Sequence, residues 1–170
     1  VLLEALPNFA EDYRPVVWVL AVVTVIGGSL MAVVQTNVKR MLAYSSIAQS
    51  GYLIIGLLSG PEAGFNAVLF YLLGYGVTNT AMFAVLASLE RNGEDVETLD
   101  DLAGLRTRHP VLAWMLAASA ISLIGMPPLI GFFGKLALFS SAFEAGQSTL
   151  VIVAAVNSAI SAATVNSAAG

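Results

Sequence analysis

Apolar residues occur along this chain in five long runs that are separated by short polar segments. The runs cover residues 15–36, 41–59, 64–89, 110–143 and 150–165. A helix needs about 20 predominantly apolar residues to cross a hydrocarbon core of about 30 Å. Pro15 opens the first run, and proline favours the first helical position. The pattern therefore predicts an all-α, polytopic membrane protein with five transmembrane helices.

The fourth run is too long for one straight helix, since at 1.5 Å per residue it would measure about 50 Å. Proline removes a backbone donor and blocks the helical turn before it. The middle of the run holds glycines and prolines at Gly125, Pro127, Pro128, Gly131 and Gly134. We expect one discontinuous helix that is broken at 125–131. A re-entrant hairpin of two half-length helices is the alternative.

A single charged residue, Lys135, follows this interruption inside the apolar run. A lysine within a bilayer costs a few kcal/mol on insertion scales. At membrane depth, broken backbone is tolerated only where it faces protein or water. A broken helix with a buried charge is typical of elements that conduct ions. The alternative is a kinked helix whose lysine snorkels to the membrane surface.

Small polar residues lie within two of the other runs. Ser45 and Ser46 belong to a polar stripe in the second run, and Asn79 is the strongly polar residue of the third. Such side chains usually form hydrogen bonds between membrane helices. Lining a path for water is the functional alternative.

The composition agrees with a membrane protein that has little soluble mass. The chain is 58% hydrophobic and 11% charged, whereas soluble domains carry about 25% charged residues. It has no cysteine, which excludes disulfides, thiolate metal sites and iron–sulfur clusters. One histidine excludes a metal or haem site with several histidine ligands. The net charge of -4 gives no indication of nucleic-acid binding.

The longest polar segment, residues 90–109, has an apolar residue at every third position. These residues are Val96, Leu99, Leu102 and Leu105. The spacing predicts a short amphipathic helix on the membrane surface. Thr98 with Asp101 fits a capping box with aspartate in place of glutamate. Residues 1–14 are expected to form a loop or interfacial turn.

Basic residues predict the orientation of the chain. With five spans, the loops at 37–40 and 90–109 share one side, and both are rich in lysine or arginine. The positive-inside rule makes that side cytoplasmic and places the N-terminus outside. The chain begins without methionine and ends in a polar tail of small residues, which suggests a piece of a longer protein.

Two stretches resemble a known family. They are TNVKRMLAYSSIAQSGYLIIGL (Thr36–Leu57) and GMPPLIGFFGKLALF (Gly125–Phe139). Both resemble the antiporter-like subunits of proton-pumping NADH:quinone oxidoreductase, respiratory complex I, and subunit N most of all. Mrp-type antiporters and membrane-bound hydrogenases share the first stretch. The second stretch distinguishes the members of the family from one another. The M subunit has glutamate at the position of Lys135, and the L subunit typically has aspartate at the position of Leu136.

The resemblance implies a fold and a function. Members of this family contain two inverted five-helix repeats, and this chain would be the second repeat. Lys135 would match the proton-relaying lysine of a broken helix, and Ser45 and Ser46 small polar positions near a channel. Lys39 and Arg40 would match a basic pair that sets orientation. After Ala162 the resemblance ends.

The resemblance also implies partners and a location. The partners would be the lipid bilayer, the other membrane subunits of complex I and protons, with no nucleic acid, in a bacterial inner membrane. No cofactor or metal is expected in this chain, since NADH, flavin, iron–sulfur clusters and quinone would belong to other subunits. We expect the chain alone not to pump. A subunit of an Mrp-type cation/proton antiporter and a structural module without transport are the alternatives.

Overall fold

The computed structural model describes residues 10–60, 63–91, 93 and 96–168, and every longer element in them is helical. The helices are α1 (Ala10–Val33), α2 (Val38–Leu58), α3 (Ala63–Arg91), α4 (Leu105–Arg108), α5 (Pro110–Ile124), α6 (Ile130–Glu144) and α7 (Ser148–Ala168). The predicted all-α fold is confirmed. In the described residues, α1, α2 and α3 are each long and apolar enough to cross a membrane. Two further apolar helical stretches are shorter: Pro110–Ile124, which is α5, and Ser148–Ile160, which is the first part of α7.

The first helix begins earlier than the sequence predicts. It starts at Ala10, so Pro15 lies inside it. Proline there costs one backbone hydrogen bond, the one that residue 15 would donate to the carbonyl of residue 11. The predicted loop at residues 1–14 is therefore helical from Ala10 onward. Its first nine residues lie outside the described part of the chain.

The helices α5 and α6 lie one after the other along α3. Leu112, Leu116 and Leu123 of α5 pack against the cluster that holds Met82 and Leu89 of α3. At the middle of α3, the hydroxyls of Thr78 and Ser122 are 3.5 Å apart.

Beyond that point α6 continues towards the start of α3. Ile130 lies close to Gly74 and Gly134 close to Tyr71. A hairpin would return both halves to the same end of α3. The structure instead has one discontinuous helix that runs antiparallel to α3.

The interruption is shorter than the predicted 125–131. Gly125, Pro127 and Pro128 lie between α5 and α6, whereas Gly131 and Gly134 lie inside α6. A Cβ on Gly131 would overlap the carbonyl oxygen of Ser122. A Cβ on Gly134 would lie 2.7 Å from Cδ2 of Tyr71. These two glycines therefore serve close helix packing and do not break the helix.

The prediction of an amphipathic helix in the long loop is wrong. The loop forms a 3₁₀ turn, Asp100–Leu102, and the single-turn helix α4. Gly104 separates them with φ +74, a left-handed conformation that ends a helix. Val96 and Leu105 are buried, but Leu99 is exposed. Spacing by three did not produce one apolar face because the loop turns between these residues.

The loops at 37–40 and 90–109 share one end of the bundle, as the predicted order of spans requires. The backbone N–H of Val38 donates to the carbonyl of Glu97 over 2.8 Å. Lys39 forms an ion pair with Glu90. Val96 and Leu105 close this end over Leu42 and Leu89, in one buried apolar cluster.

A second apolar cluster fills the other end. It includes Leu58, Val68, Leu138, Ala142 and Leu150, and Leu138 is three residues beyond Lys135 on α6. This cluster also includes Tyr52 and Tyr71, whose hydroxyls belong to the polar site described below.

Candidate functional site: a lysine at a helix break

The end of α5 leaves two backbone carbonyls without helical partners. Gly125 adopts φ +92, and its N–H donates to the carbonyl of Ser122 over 3.1 Å. The N–H of Met126 donates to the carbonyl of Ile121 over 3.2 Å. This pair of bonds is the Schellman motif, which satisfies some of the last carbonyls of a helix. The next two carbonyls, at Leu123 and Ile124, remain available.

Lys135 binds both of these carbonyls. Its Nζ donates to the carbonyl oxygens of Leu123 and Ile124, each 3.0 Å away. A helix C-terminus carries a partial negative charge and favours a cation. The lysine is only 8% exposed. Its ammonium thus reaches back to the break, and the snorkelling alternative does not describe it.

The backbone at Gly125 makes room for this side chain. A Cβ there would lie 3.1 Å from Cδ of Lys135. The ring of Tyr52 covers the ammonium from the side of α2, with Nζ 5.4 Å from the ring centroid. Such a contact stabilises a cation electrostatically. Lys135 is therefore held by α2, by the end of α5 and by α7.

The contact with α7 is a hydrogen bond from Nζ to the Ser158 hydroxyl, 3.0 Å long. Next to it, Nδ2 of Asn157 donates to the Tyr52 hydroxyl over 3.1 Å and to the Ser29 hydroxyl over 2.7 Å. Polar side chains from α1, α2 and α7 thus form one connected group with the lysine. We call Lys135, Ser158, Tyr52, Asn157 and Ser29 the lysine group.

A second polar group joins α2 to α3 and reaches the break. The Tyr71 hydroxyl donates to Oε1 of Gln49, and the Tyr75 hydroxyl donates to the Ser46 hydroxyl over 2.7 Å. The two tyrosine rings are stacked, with centroids 6.3 Å apart. One turn further along α3, Thr78 approaches Ser122 at the end of α5.

The structure places the predicted site residues in three different surroundings. Lys135 and Ser46 lie in the two polar groups. Ser45 and Asn79 are partly buried but take no part in the described hydrogen bonds of these groups. Lys39 and Arg40 lie at the loop end, where Lys39 pairs with Glu90 and the N–H of Arg40 donates to Asn37.

Sequence reasoning missed several members of both groups, including Tyr52, Ser122 and Ser158. A usable signal was present in α3, since Tyr71, Tyr75 and Thr78 recur at helical spacing on one face. Ser122 and Ser158 carry no such signal. They enter the site because α5 and α7 pack against α3 and α6.

Comparison with known proteins identifies the family. A model of the family described as "NADH:quinone oxidoreductase/Mrp antiporter, TM" matches residues 1–161. The chain belongs to this family.

Relatives in the oxidoreductase/Mrp antiporter family agree with this assignment. The chain is 44% identical over 161 residues to NADH-quinone oxidoreductase subunit N of Trichlorobacter lovleyi, covering 95% of this chain and 33% of the relative. It thus spans about a third of that relative's length.

Solved structures of the family have the same fold. A chain of respiratory complex I from Thermus thermophilus with bound aureothin superposes with a TM-score of 0.76, at 36% identity over 87% of this chain and 33% of that one. A chain of the Mrp complex from Dietzia sp. DQ12-45-1b superposes with a TM-score of 0.82. It is 33% identical in sequence, and the match covers 92% of this chain and 29% of that one. The predicted membership in a family of antiporter-like membrane subunits is confirmed.

The titratable group of this site is the amine of Lys135, which can hold or release a proton. In the described residues, no group of histidine, cysteine, aspartate or glutamate side chains is arranged to hold a metal ion. The lysine group instead combines one titratable amine with hydroxyls and carbonyls. The amine is the one group among them that readily changes charge.

Proposed function

We propose that this chain is part of a proton-translocating membrane subunit of NADH:quinone oxidoreductase, and that Lys135 is its proton relay. The observation that carries the proposal is the position of the Lys135 ammonium, 3.0 Å from each of two carbonyls at a helix break. Relatives named as subunit N of that oxidoreductase support the assignment to its complex.

The surroundings of Lys135 suit a proton that is bound and released in turn. Burial disfavours the ammonium, while the end of α5 and the Tyr52 ring favour it. No carboxylate takes part in the described contacts of Nζ, so no permanent ion pair locks the ammonium in place. A change of charge nearby can then shift the balance towards the neutral amine.

The proposal includes a location, an orientation and partners. The chain lies in a bacterial inner membrane, with the loop that holds α4 on the cytoplasmic side and the N-terminus outside. It contacts lipid and the other membrane subunits of complex I. It is a non-redox part of the enzyme, and NADH, flavin, iron–sulfur clusters and quinone are bound by other subunits. Alone, the chain does not pump.

The test uses the complete subunit in the assembled complex, reconstituted into vesicles. Lys135→Ala removes the relay, and Lys135→Arg keeps the charge on a group that does not release its proton. We expect both variants to lose this subunit's share of the protons pumped per NADH oxidised. Lys39→Ala, which removes a lysine at the loop end, is the matched control and is expected to pump normally. Wild-type pumping by both Lys135 variants would refute the relay.

A cation/proton antiporter subunit of the Mrp type is the second candidate, supported by the superposition on a chain of an Mrp complex. The two candidates differ in partners and in ion. Co-purification with NADH-oxidising subunits supports the first. Co-purification with Mrp partners, together with sodium-dependent proton exchange in vesicles, supports the second. A structural module without transport predicts that Lys135→Ala changes neither activity.

A further inference from the structure

We propose that a groove between α5 and the loop that holds α4 binds an anionic phospholipid, with the phosphate at Arg106 and one acyl chain along α5. We call it the α5 groove. The proposal needs only that the chain lies in a membrane, and it does not depend on the relay role of Lys135. It adds a lipid site at the loop end of the bundle.

The α5 groove has a volume of about 470 Å³, and its α5 side is lined by small side chains. Ala113, Ala117 and Ala120 recur at helical spacing and share one face of α5. At 1.5 Å per residue they extend over about 10 Å of the helix. An apolar helix face by itself shows only contact with hydrocarbon. A trough of this length and lining suits one linear acyl chain.

The opposite wall of the groove belongs to the loop. Leu102, Gly104 and Leu105 line it. Leu105 is 4% exposed and lies in the apolar cluster that also holds Leu42 of α2 and Leu89 of α3. This wall is thus anchored to the bundle, so the groove is preformed, as ligand sites usually are.

Arg106 supplies a positive charge at the loop end of the groove. It is exposed and lines the groove. Its guanidinium has no hydrogen bond or ion pair with another described residue. Arg108, in contrast, donates to the carbonyls of Asp101 and Ala103. A guanidinium matches phosphate oxygens with two parallel N–H groups, so Arg106 is the group that can hold the phosphate.

The acidic residues of the loop do not cancel this charge at the groove. Asp100 and Asp101 are not among the residues that line it. The carboxylate of Asp101 accepts hydrogen bonds from donors within the loop itself. The charge that the groove presents is therefore the single positive charge of Arg106, which is complementary to an anionic headgroup.

Trp114 indicates the depth of the groove in the membrane. It lines the groove near the start of α5 and is 69% exposed. Exposed tryptophans of membrane proteins are enriched at the level of the lipid headgroups. Arg106 then lies at the level of the phosphates, and Ala120 at the level of the acyl chains. Basic pockets beside membrane helices bind anionic headgroups in this way.

The lining favours a lipid over an extended protein segment. Such a segment would bring backbone N–H and C=O groups that need hydrogen-bond partners. Behind Arg106, the side chains that line the groove are apolar. A phospholipid requires one polar partner at the headgroup and hydrocarbon behind it, which is the arrangement found here.

The test uses the complete subunit in the assembled complex, in vesicles that contain a trace of phospholipid with a photoreactive acyl chain. The probe is either phosphatidylglycerol, which is anionic, or phosphatidylcholine, which has no net charge. Peptide mass spectrometry then measures the crosslinks to residues 113–120 as a fraction of all crosslinks in the subunit. We expect this fraction to be about fivefold larger with phosphatidylglycerol, the factor that one basic residue near an anionic headgroup supplies.

Two pairs of variants separate the charge from the groove. Arg106→Gln is expected to abolish the preference for phosphatidylglycerol. Arg40→Gln removes a basic side chain at the same end of the bundle but outside the groove and should keep the preference. Ala117→Phe fills the trough and should lower crosslinking to residues 113–120 several-fold with both probes. Ala118→Phe places the same ring on the next, exposed residue outside the groove and should not.

The other outcomes overturn the lipid site. Equal fractions with the two probes would mean that the groove meets only bulk lipid. Equal losses in Arg106→Gln and Arg40→Gln would mean general charge attraction. No crosslink from either probe to residues 113–120 would mean that another protein segment, such as a helix, covers the groove. If Arg106→Gln does not assemble, the second pair decides, and identical fractions in Ala117→Phe and Ala118→Phe reject the site.

Discussion

The backbone N–H of Gly131 donates a hydrogen bond to the hydroxyl of Ser122, over 3.2 Å. The first turn of α6 is thereby joined to the last turn of α5 across the break. The approach is close, because a Cβ on Gly131 would overlap the carbonyl oxygen of Ser122. The carbonyls that bind Lys135 belong to the same last turn. The glycine thus positions the lysine and its acceptors relative to each other.

Gly131→Ala is expected to destabilise the subunit by about 1–3 kcal/mol, the usual cost of forcing a methyl group into a packed contact. Thermal unfolding of the purified protein in detergent measures the effect. Gly27→Ala is the matched control, since a Cβ at Gly27 meets nothing within 4 Å. Alanine favours a helix over glycine by about 1 kcal/mol, so the control should be neutral or stabilising. Equal behaviour of the two variants would contradict the close contact.

The loop that holds α4 is predicted to depend on the carboxylate of Asp101. Its Oδ2 accepts from the N–H of Glu97 and from both the N–H and the hydroxyl of Thr98, over 2.7 to 3.1 Å. These donors, with those of Thr98 as the main cause, hold the pKa of Asp101 below its ordinary value. Because the folded pKa is lowered, the stabilisation is complete above the ordinary aspartate pKa of about 3.9. It is lost as the pH falls through the lowered value.

Amide hydrogen exchange at Glu97 and Thr98, corrected for intrinsic rates, reports this dependence. Protection is expected to be constant at neutral pH and to fall only in strong acid. Asp101→Asn should lower the protection at neutral pH already, since an amide is a weaker acceptor than a carboxylate. Asp100→Asn removes one negative charge at the neighbouring residue and is the control. It should leave the protection of Glu97 and Thr98 unchanged. Unaltered protection in Asp101→Asn would disprove the role of the carboxylate.

The proposed orientation predicts which side of the membrane each loop faces. This chain has no cysteine. In a complete subunit that is also free of cysteine elsewhere, Asp100→Cys and Glu144→Cys each introduce a single cysteine whose labelling reports the side of the membrane that it faces. Residue 100 lies in the loop that holds α4, and residue 144 at the end of α6, near the other end of the bundle. An impermeant maleimide added to intact cells should label the second variant and not the first. The reverse pattern would invert the topology.

Several features of this protein could be predicted from the sequence because they are local. Long apolar runs predict membrane helices, since each such run can be buried in lipid on its own. Two consecutive prolines shortly after a glycine disfavour a continuous helix through local backbone geometry, so the break at Gly125, Pro127 and Pro128 was found. The charge at Lys135 was recognisable as a candidate for function because a buried lysine is costly anywhere in an apolar run.

Tertiary structure alone decided which side chains meet in the site and where the broken helix resumes. Ser45 and Ser46 are neighbours in sequence, but successive residues of a helix point about 100° apart, and only Ser46 meets Tyr75. Gly131 and Gly134 look like helix breakers, yet close packing against Ser122 and Tyr71 makes them part of α6. Ser158 becomes a ligand of Lys135 because α7 packs beside α6, 23 residues further along the chain. A pattern along one helix carries no information about the side chain that a different helix brings to it.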